Sequence, residues 1–168
     1  WRRFFVVVAG ALMNLILGFL VIVIMLSSGS LIGTTEIAKF DDKAVSSATL
    51  KQGDIIKSID GMRVYTSTDV TTGLSRSGDD TLDMTVLRDG KTLDLKVKFN
   101  MEKYEGRNFI NMDFWLVGNK KTVGGVIKES FKEWVSFTRM VFLSVHDMIV
   151  GKYGLSDLAG PVGTVSVV

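Results

Sequence analysis

A run of uncharged residues, 4–26, limits what the N-terminus of this chain can form. At 1.5 Å per residue, an α-helix of this length is about 34 Å long, enough to cross a hydrocarbon core of about 30 Å. A signal peptide is the rival interpretation, because Arg2 and Arg3 precede the run. However, its apolar region is typically about 7–15 residues long, and the Ser-Ser-Gly-Ser that follows here is a poor cleavage site. We therefore predict a transmembrane helix in residues 1–30.

The charges that flank this helix predict its orientation. Arg2 and Arg3 come immediately before it, whereas the first charges after it are mainly acidic. Because basic residues favour the cytoplasmic side of a membrane, residue 1 is expected in the cytoplasm and residues from 30 onward outside it.

Small and polar residues recur every fourth position within the predicted helix, at Gly10, Asn14 and Gly18. This spacing places them on one face, where another helix can approach closely. Ordinary helix packing is one interpretation, and Asn14 facing a polar site made by other helices is the second. Both require partner helices.

Composition excludes several kinds of function. The net charge is only +2, so a basic face for nucleic acid is not expected. Cysteine is absent and His146 is the single histidine, so a zinc site with two or more histidines cannot be built from this chain alone. A serine protease is disfavoured, because the chain has no Gly-x-Ser-x-Gly motif and His146 has no evident nucleophile partner.

Residues 31–117 have the pattern of a small, mostly β domain with two short helices. Two alternating runs flank Asp89-Gly90 and predict a hairpin. The segment "STDVTTGLSRSG" predicts a helix that Ser67 or Thr68 caps, with Val70 and Leu74 on one face. The expected inner faces of the hairpin are Leu82, Met84 and Val86 on one strand, and Leu93, Leu95, Val97 and Phe99 on the other.

The segment "AVSSATLKQGDIIKSIDGMRV" resembles the signature of PDZ domains, in which a short helix leads to a Gly-Asp, a strand and an Asp-Gly turn. The resemblance implies a permuted domain that binds an extended peptide as an added strand, with the pairing strand "RNFINMDFWLV" (residues 107–117) arriving last. This strand lacks a Gly-Leu-Gly-Phe type of loop, and an edge strand whose apolar face is simply core is the alternative. The expected peptide-binding residues are Val70, Leu74, Ile110, Met112 and Phe114.

Residues 118–153 predict a long amphipathic helix. Its apolar positions follow a/d spacing, whereas Arg139 and several charges in its first half make it costly to place across a bilayer. We expect it to lie at the outer membrane interface, and packing on the PDZ domain is the alternative. The a/d positions are Ile127, Phe131, Trp134, Val141, Val145 and Met148.

The order of these parts resembles the bacterial site-2 intramembrane zinc metalloproteases that carry a PDZ domain. "AGALMN" (residues 9–14) is similar to the second transmembrane helix of that family, and "LAGPVGTVSVV" (residues 158–168) to the lead-in to its third. The resemblance therefore implies that residues 154–168 form a Gly-Pro-Val-Gly turn and the start of the next transmembrane helix. It also implies that Asn14, Gly160, Pro161 and Gly163 lie near the active site.

The zinc of that family is held by a His-Glu-x-x-His motif and by an aspartate in a Leu-Asp-Gly stretch, and neither motif is present here. We therefore expect the chain to be a central segment of such a protease, without metal ligands or catalytic residues and inactive alone.

The resemblance implies a multi-pass protein of the bacterial inner or cell membrane, with an extracytoplasmic PDZ domain that controls access to the active site. Its implied partners are the bilayer, the remaining transmembrane helices and a transmembrane substrate, such as an anti-sigma factor. The competing hypothesis is a membrane-anchored PDZ adaptor that binds peptides without catalysis.

Overall fold

The computed structural model describes residues 2–29, 31–104 and 107–150. The chain divides into two compact units, Trp1–Ser136 and Phe137–Val168. The helices are α1 (Arg2–Ser28), α2 (Ser67–Arg76) and α3 (Val123–Ile149), with a 3-10 helix at Ser46–Ala48. The strands are β1 (Ile32–Phe40), β2 (Ile55–Ile59), β3 (Met62–Arg63), β4 (Thr81–Arg88), β5 (Lys91–Lys98), β6 (Met101–Tyr104), β7 (Arg107–Ile110) and β8 (Phe114–Asn119).

The N-terminal helix α1 contains a segment, Val8–Ser28, that is long and apolar enough to cross a membrane. None of its described side chains is buried by the rest of the protein. A core helix of a soluble domain would bury its apolar surface, so α1 has the exposure of a helix that needs an apolar environment.

Residues 32–119 form a mostly β domain, which we call the β domain. Its main sheet is antiparallel with the order β5-β4-β2-β1-β8, and β3 pairs with β2. Strands β6 and β7 form a separate two-stranded sheet. One apolar cluster joins the sheet to α2, and it includes Ile56, Val70, Leu82 and Phe99. The predicted fold class is therefore confirmed: an apolar N-terminal helix, a mostly β domain with two short helices, and a long helix after it.

The hairpin of β4 and β5 forms as predicted around Asp89-Gly90. The two strands pair without a break from Thr81 opposite Lys98 to Arg88 opposite Lys91. Asp89 and Gly90 both have positive φ, 49° and 77°. Two-residue turns of this kind match the twist of the flanking strands, so this local sequence sets the hairpin register.

Helix α2 begins with a different cap from the two predicted. Thr66, not Ser67 or Thr68, is the N-cap: its hydroxyl accepts from the Asp69 N–H, and the Asp69 carboxylate accepts from the Thr66 N–H. This reciprocal capping box is available because an acidic residue stands three positions after Thr66.

The predicted single strand of residues 107–117 is wrong. Its first part is β7, which pairs with β6, and its second part begins β8, which pairs with β1. The break lies at residues 111–113, where the buried Asp113 turns towards the 3-10 helix. A carboxylate inserted among apolar residues needs hydrogen-bond donors, and those donors lie off the sheet.

Candidate peptide-binding site

Strand β8 forms one edge of the main sheet. On one side it pairs with β1, from Phe114 opposite Phe40 to Asn119 opposite Ile32. On its other side, β8 has no strand partner in the part of the chain that the structure describes. An edge strand presents unpaired N–H and C=O groups, to which an extended peptide can add as a further strand.

The five predicted peptide-binding residues fall into two groups by burial. Val70 and Leu74 on α2 and Phe114 on β8 are buried in the apolar cluster, where the Phe114 ring lies 6.3 Å from that of Phe99. Ile110 and Met112 are only partly buried and pack against that cluster. The second pair is therefore the more accessible part of this set, and it packs against the cluster that contains the first group.

Asp113 fixes the start of β8. Its Oδ2 accepts hydrogen bonds from the backbone N–H groups of Val45 (2.8 Å) and Ser46 (3.1 Å), and its Oδ1 accepts one from the Ser46 hydroxyl (2.5 Å). The Asp41 N–H also donates to the Asp113 carbonyl at 2.9 Å. Sequence reasoning missed this residue, because its donors lie far away in the chain.

The outer face of β8 carries Trp115, whose side chain is exposed. Its Nε1–H donates to Asp41 Oδ1 at 2.8 Å, and Lys39 Nζ lies 5.3 Å from the centre of the ring. These contacts hold the indole on the β1 side of β8, which is the side opposite the free edge.

A buried ion pair supports the opposite part of the β domain. The Asp54 carboxylate has no exposed surface, and it accepts from Arg88 Nε at 2.7 Å, from Arg88 Nη2 at 2.7 Å and from the Lys51 N–H at 2.8 Å. Burial alone would raise the pKa of Asp54, but the hydrogen bonds from Arg88 and Lys51 and the charge of Arg88 together lower it below 3.8.

The first half of α3 contacts the N-terminal end of α2 through polar groups. The Thr68 hydroxyl donates to Glu133 Oε1 at 3.2 Å, and the Ser136 hydroxyl donates to Asp69 Oδ2 at 2.9 Å. We call these four residues the clasp. Burial raises the pKa of Glu133, the hydroxyls of Thr68 and Thr66 oppose this shift, and the charges of Asp69 and Glu129 add to it.

The apolar positions of α3 point away from these contacts. Ile127, Phe131 and Val135 are exposed, and Trp134 is half-buried. An apolar groove of about 330 Å³ lies between α1 and the first half of α3. Its lining residues are Leu12, Leu15, Ile16, Phe19, Phe131 and Trp134.

Of the residues expected near an active site, the structure describes only Asn14. Asn14 is exposed on α1, and the space that a side chain at Gly10 or Gly18 would enter is open apart from the nearby backbone of α1 itself. Gly160, Pro161 and Gly163 lie outside the described residues. Among residues 2–29, 31–104 and 107–150, no three His, Cys, Asp or Glu side chains are grouped so that they could hold a metal ion. The described residues therefore do not fit a zinc site.

Comparison with known proteins extends over nearly the whole chain. A sequence model of the family described as Peptidase family M50 matches residues 1–167. The chain is 27% identical over 165 residues to "Regulator of sigma-W protease RasP" of Bacillus subtilis, covering 97% of this chain and 39% of that protein. It is 28% identical over 168 residues to "Zinc metalloprotease RasP" of Geobacillus kaustophilus, covering 96% of this chain and 39% of that protein. The chain thus spans less than half the length of these relatives.

Solved structures similar to this chain include the PDZ domain of an SdrC-like protein from Listeria monocytogenes, with 18% identity and a TM-score of 0.38. That match covers 54% of this chain and 90% of the Listeria chain. The PDZ domain of the SdrC-like protein from Listeria innocua matches with 16% identity and a TM-score of 0.40, covering 54% of this chain and 97% of that chain.

Proposed function

Because this chain belongs to peptidase family M50, the site-2 proteases, we propose that it serves regulated intramembrane proteolysis as part of a zinc metalloendopeptidase. The observation that carries this proposal is the family match over residues 1–167, which includes the apolar helix α1 as well as the β domain. The proposed substrates are transmembrane proteins such as anti-sigma factors, in line with the name of the Bacillus subtilis relative.

In this proposal the zinc ligands come from parts of the protein outside these 168 residues. The described residues contain no metal-binding group, and the relatives are more than twice as long as the matched region. The chain alone is then expected to have no peptidase activity, and Asn14 and the Gly160-Pro161-Val162-Gly163 turn are proposed to lie near the active site in the full-length protein.

The proposed role of the β domain, a permuted PDZ domain on the extracytoplasmic side, is to dock a peptide and thereby control access of the substrate. The free edge of β8 would supply main-chain hydrogen bonds. Ile110 and Met112 would contact alternate side chains of the added strand, above the buried Val70, Leu74 and Phe114.

Helix α3 is proposed to lie at the outer membrane interface, with its apolar positions towards lipid. Ile127 and Phe131 are exposed, and the groove that Phe131 shares with α1 has an entirely apolar lining. Because Phe131 and Trp134 line the same groove as residues of α1, lipid around α1 would also contact this face of α3.

Cleavage of a membrane-anchored anti-sigma factor by the full-length protein in proteoliposomes tests the enzymatic proposal. We expect cleavage that a zinc chelator abolishes and that added zinc restores. A full-length protein that binds peptides but cuts no membrane substrate under any metal condition would instead favour the adaptor hypothesis.

The docking role is tested with a library of short C-terminal peptides, selected for binding to the full chain in detergent. Met112→Asp is expected to weaken binding about tenfold, which corresponds to about 1.4 kcal/mol, because the added charge would be desolvated by the peptide. Thr92→Asp is the matched control, since Thr92 is exposed on β5 at the opposite edge of the sheet. Equal effects of the two variants, or no binding by the parent chain, would refute docking at β8.

A further inference from the structure

The first half of α3 has the reverse of the usual arrangement for a helix that packs on a domain. Four of its residues are buried: one is apolar, Val126, and three are polar, Ser130, Glu133 and Ser136. A helix that docks through the hydrophobic effect buries its apolar stripe, whereas α3 exposes that stripe and buries hydroxyls and a carboxyl group. Specific polar contacts therefore hold this part of α3 in place.

The clasp contacts are directed at the capping box of α2. Asp69 Oδ2 accepts from the Thr66 and Tyr65 N–H groups as well as from the Ser136 hydroxyl. The N-terminal end of α2 and the docked position of α3 thus share one carboxylate. Loss of the Ser136 contact would therefore leave Asp69 Oδ2 with only the two backbone donors at the start of α2.

Glu133 is the member of the clasp whose hydrogen bonding is incomplete. Its Oε1 accepts from Thr68, but its buried Oε2 and the buried Ser130 Oγ make no hydrogen bond to another described residue. The carboxyl groups of Asp69 on α2 and Glu129 on α3 both raise the pKa of Glu133, and Glu129 is itself paired with Lys132 Nζ at 2.7 Å. Burial and like charge disfavour an ionised Glu133 in this position more than the Thr68 and Thr66 hydroxyls favour it, and protonation removes the buried charge and the repulsion.

We propose that the clasp is a proton-dependent latch, which holds the first half of α3 on α2 while Glu133 is protonated and releases it when Glu133 ionises. The pKa of Glu133 is higher in the docked state than in the released state, so docking is favoured at low pH and is weakened as the pH rises through the docked pKa. The effect of release on peptide docking rests on the proposed function, in which Val70 and Leu74 of α2 support the peptide site. The latch itself does not rest on it.

The chain has no cysteine, so a spin-label pair can be introduced without removing native residues of that type. Thr71→Cys on α2 and Lys128→Cys on α3 are both at exposed positions outside the clasp. Distances between the labels are measured by pulsed electron spin resonance on the full chain in lipid nanodiscs, from about pH 4.5 to about pH 8.5. The docking equilibrium is expected to change by up to about tenfold for each pH unit between the released and docked pKa values.

We expect one narrow distance population at low pH and a second, longer population that grows as the pH rises. Glu133→Gln, which mimics the protonated side chain, should keep the narrow population at every pH. Glu36→Gln on β1 is the matched control and should behave like the parent. A pH-independent parent, or a Glu133→Gln variant that still responds to pH, would overturn the latch.

Two further readings separate the latch from folding and from the proposed docking role. Hydrogen exchange of the β4–β5 hairpin should be unchanged in Glu133→Gln, and Ser136→Ala, which removes one clasp hydrogen bond, should shift the populations towards release at all pH values. A change of distances with pH in a chain that binds no peptide would support the latch and refute docking at β8. Peptide binding by a chain whose label distances do not change with pH would overturn the latch but leave docking at β8 standing.

Discussion

Replacing Arg88 by Met tests the energetic reasoning about the β domain most directly. The variant keeps a long side chain but removes both hydrogen bonds of 2.7 Å to the fully buried Asp54 carboxylate. Breaking a buried ion pair by removing one partner costs about 3–5 kcal/mol, because the remaining charge is left in a poor environment. We expect the lower end, about 3 kcal/mol, because Asp54 retains the Lys51 N–H and the Arg88 side chain is 19% exposed.

The measurement is the free energy of unfolding from hydrogen exchange of the most protected amides of β2 and β4, in the full chain. Lys96→Met is the control, since the Lys96–Asp83 pair lies on the same sheet but is largely exposed, with side-chain exposures of 79% and 70%. Exposed ion pairs contribute about 0–1 kcal/mol, so the free energy of unfolding of this control should fall only slightly.

The loss of unfolding free energy in Arg88→Met should also depend on pH. The pKa of Asp54 is lowered by folding, so its ionised form contributes stability above its ordinary pKa of 3.8, and this contribution is lost as the pH falls through the lower, folded-state value. A protonated Asp54 needs no cation, so the difference between the parent and the variant should shrink towards pH 3. A loss below about 1 kcal/mol at pH 7, or a difference that stays constant down to pH 3, would refute this account.

Three other substitutions probe the site and its supports. Asp113→Ala should destabilise the start of β8 by about 1–3 kcal/mol by removing the acceptor for Ser46, and faster hydrogen exchange confined to β8 and the 3-10 helix would show it. Gly73→Val should lower the melting temperature of the β domain, because a Cβ at this position would lie only 3.0–3.1 Å from side chains of β2 and β3. Gly78→Val is the control and should leave the melting temperature unchanged, because the space around Gly78 is open. Gly90→Ala should cost about 1 kcal/mol in urea unfolding because of its φ of 77°, and an unchanged midpoint would contradict the turn assignment.

The sequence predicts those parts of the fold that depend on neighbouring residues. The Asp89-Gly90 turn sets the hairpin through two adjacent residues with positive φ. The uncharged run of α1 is likewise a local property, and both predictions agree with the structure. The cap of α2 was missed because Thr66, Ser67 and Thr68 can all cap a helix, and only the position of Asp69 selects the first.

Contacts between distant segments could not be predicted in the same way. The pairing of β8 with β1 and the anchoring of Asp113 by Ser46 join residues more than 60 positions apart. The polar face of α3 is visible in the sequence as Ser130, Glu133 and Ser136 at nearly helical spacing. However, charged and hydroxyl groups at such positions usually face water, and nothing local indicates that they face α2.

The pairing of Ile32 with Asn119 has a consequence for how this domain relates to the rest of the chain. The β domain begins and ends on adjacent strands, four residues after α1 ends and four residues before α3 begins. Lys121 Nζ even reaches the Ser27 carbonyl at 2.6 Å, so entry and exit are neighbours. The whole domain is therefore geometrically an insertion into a loop between two helices. A short linker could replace it without pulling those helices apart, which would allow such a domain to be acquired, duplicated or deleted while the helices on either side stay in place.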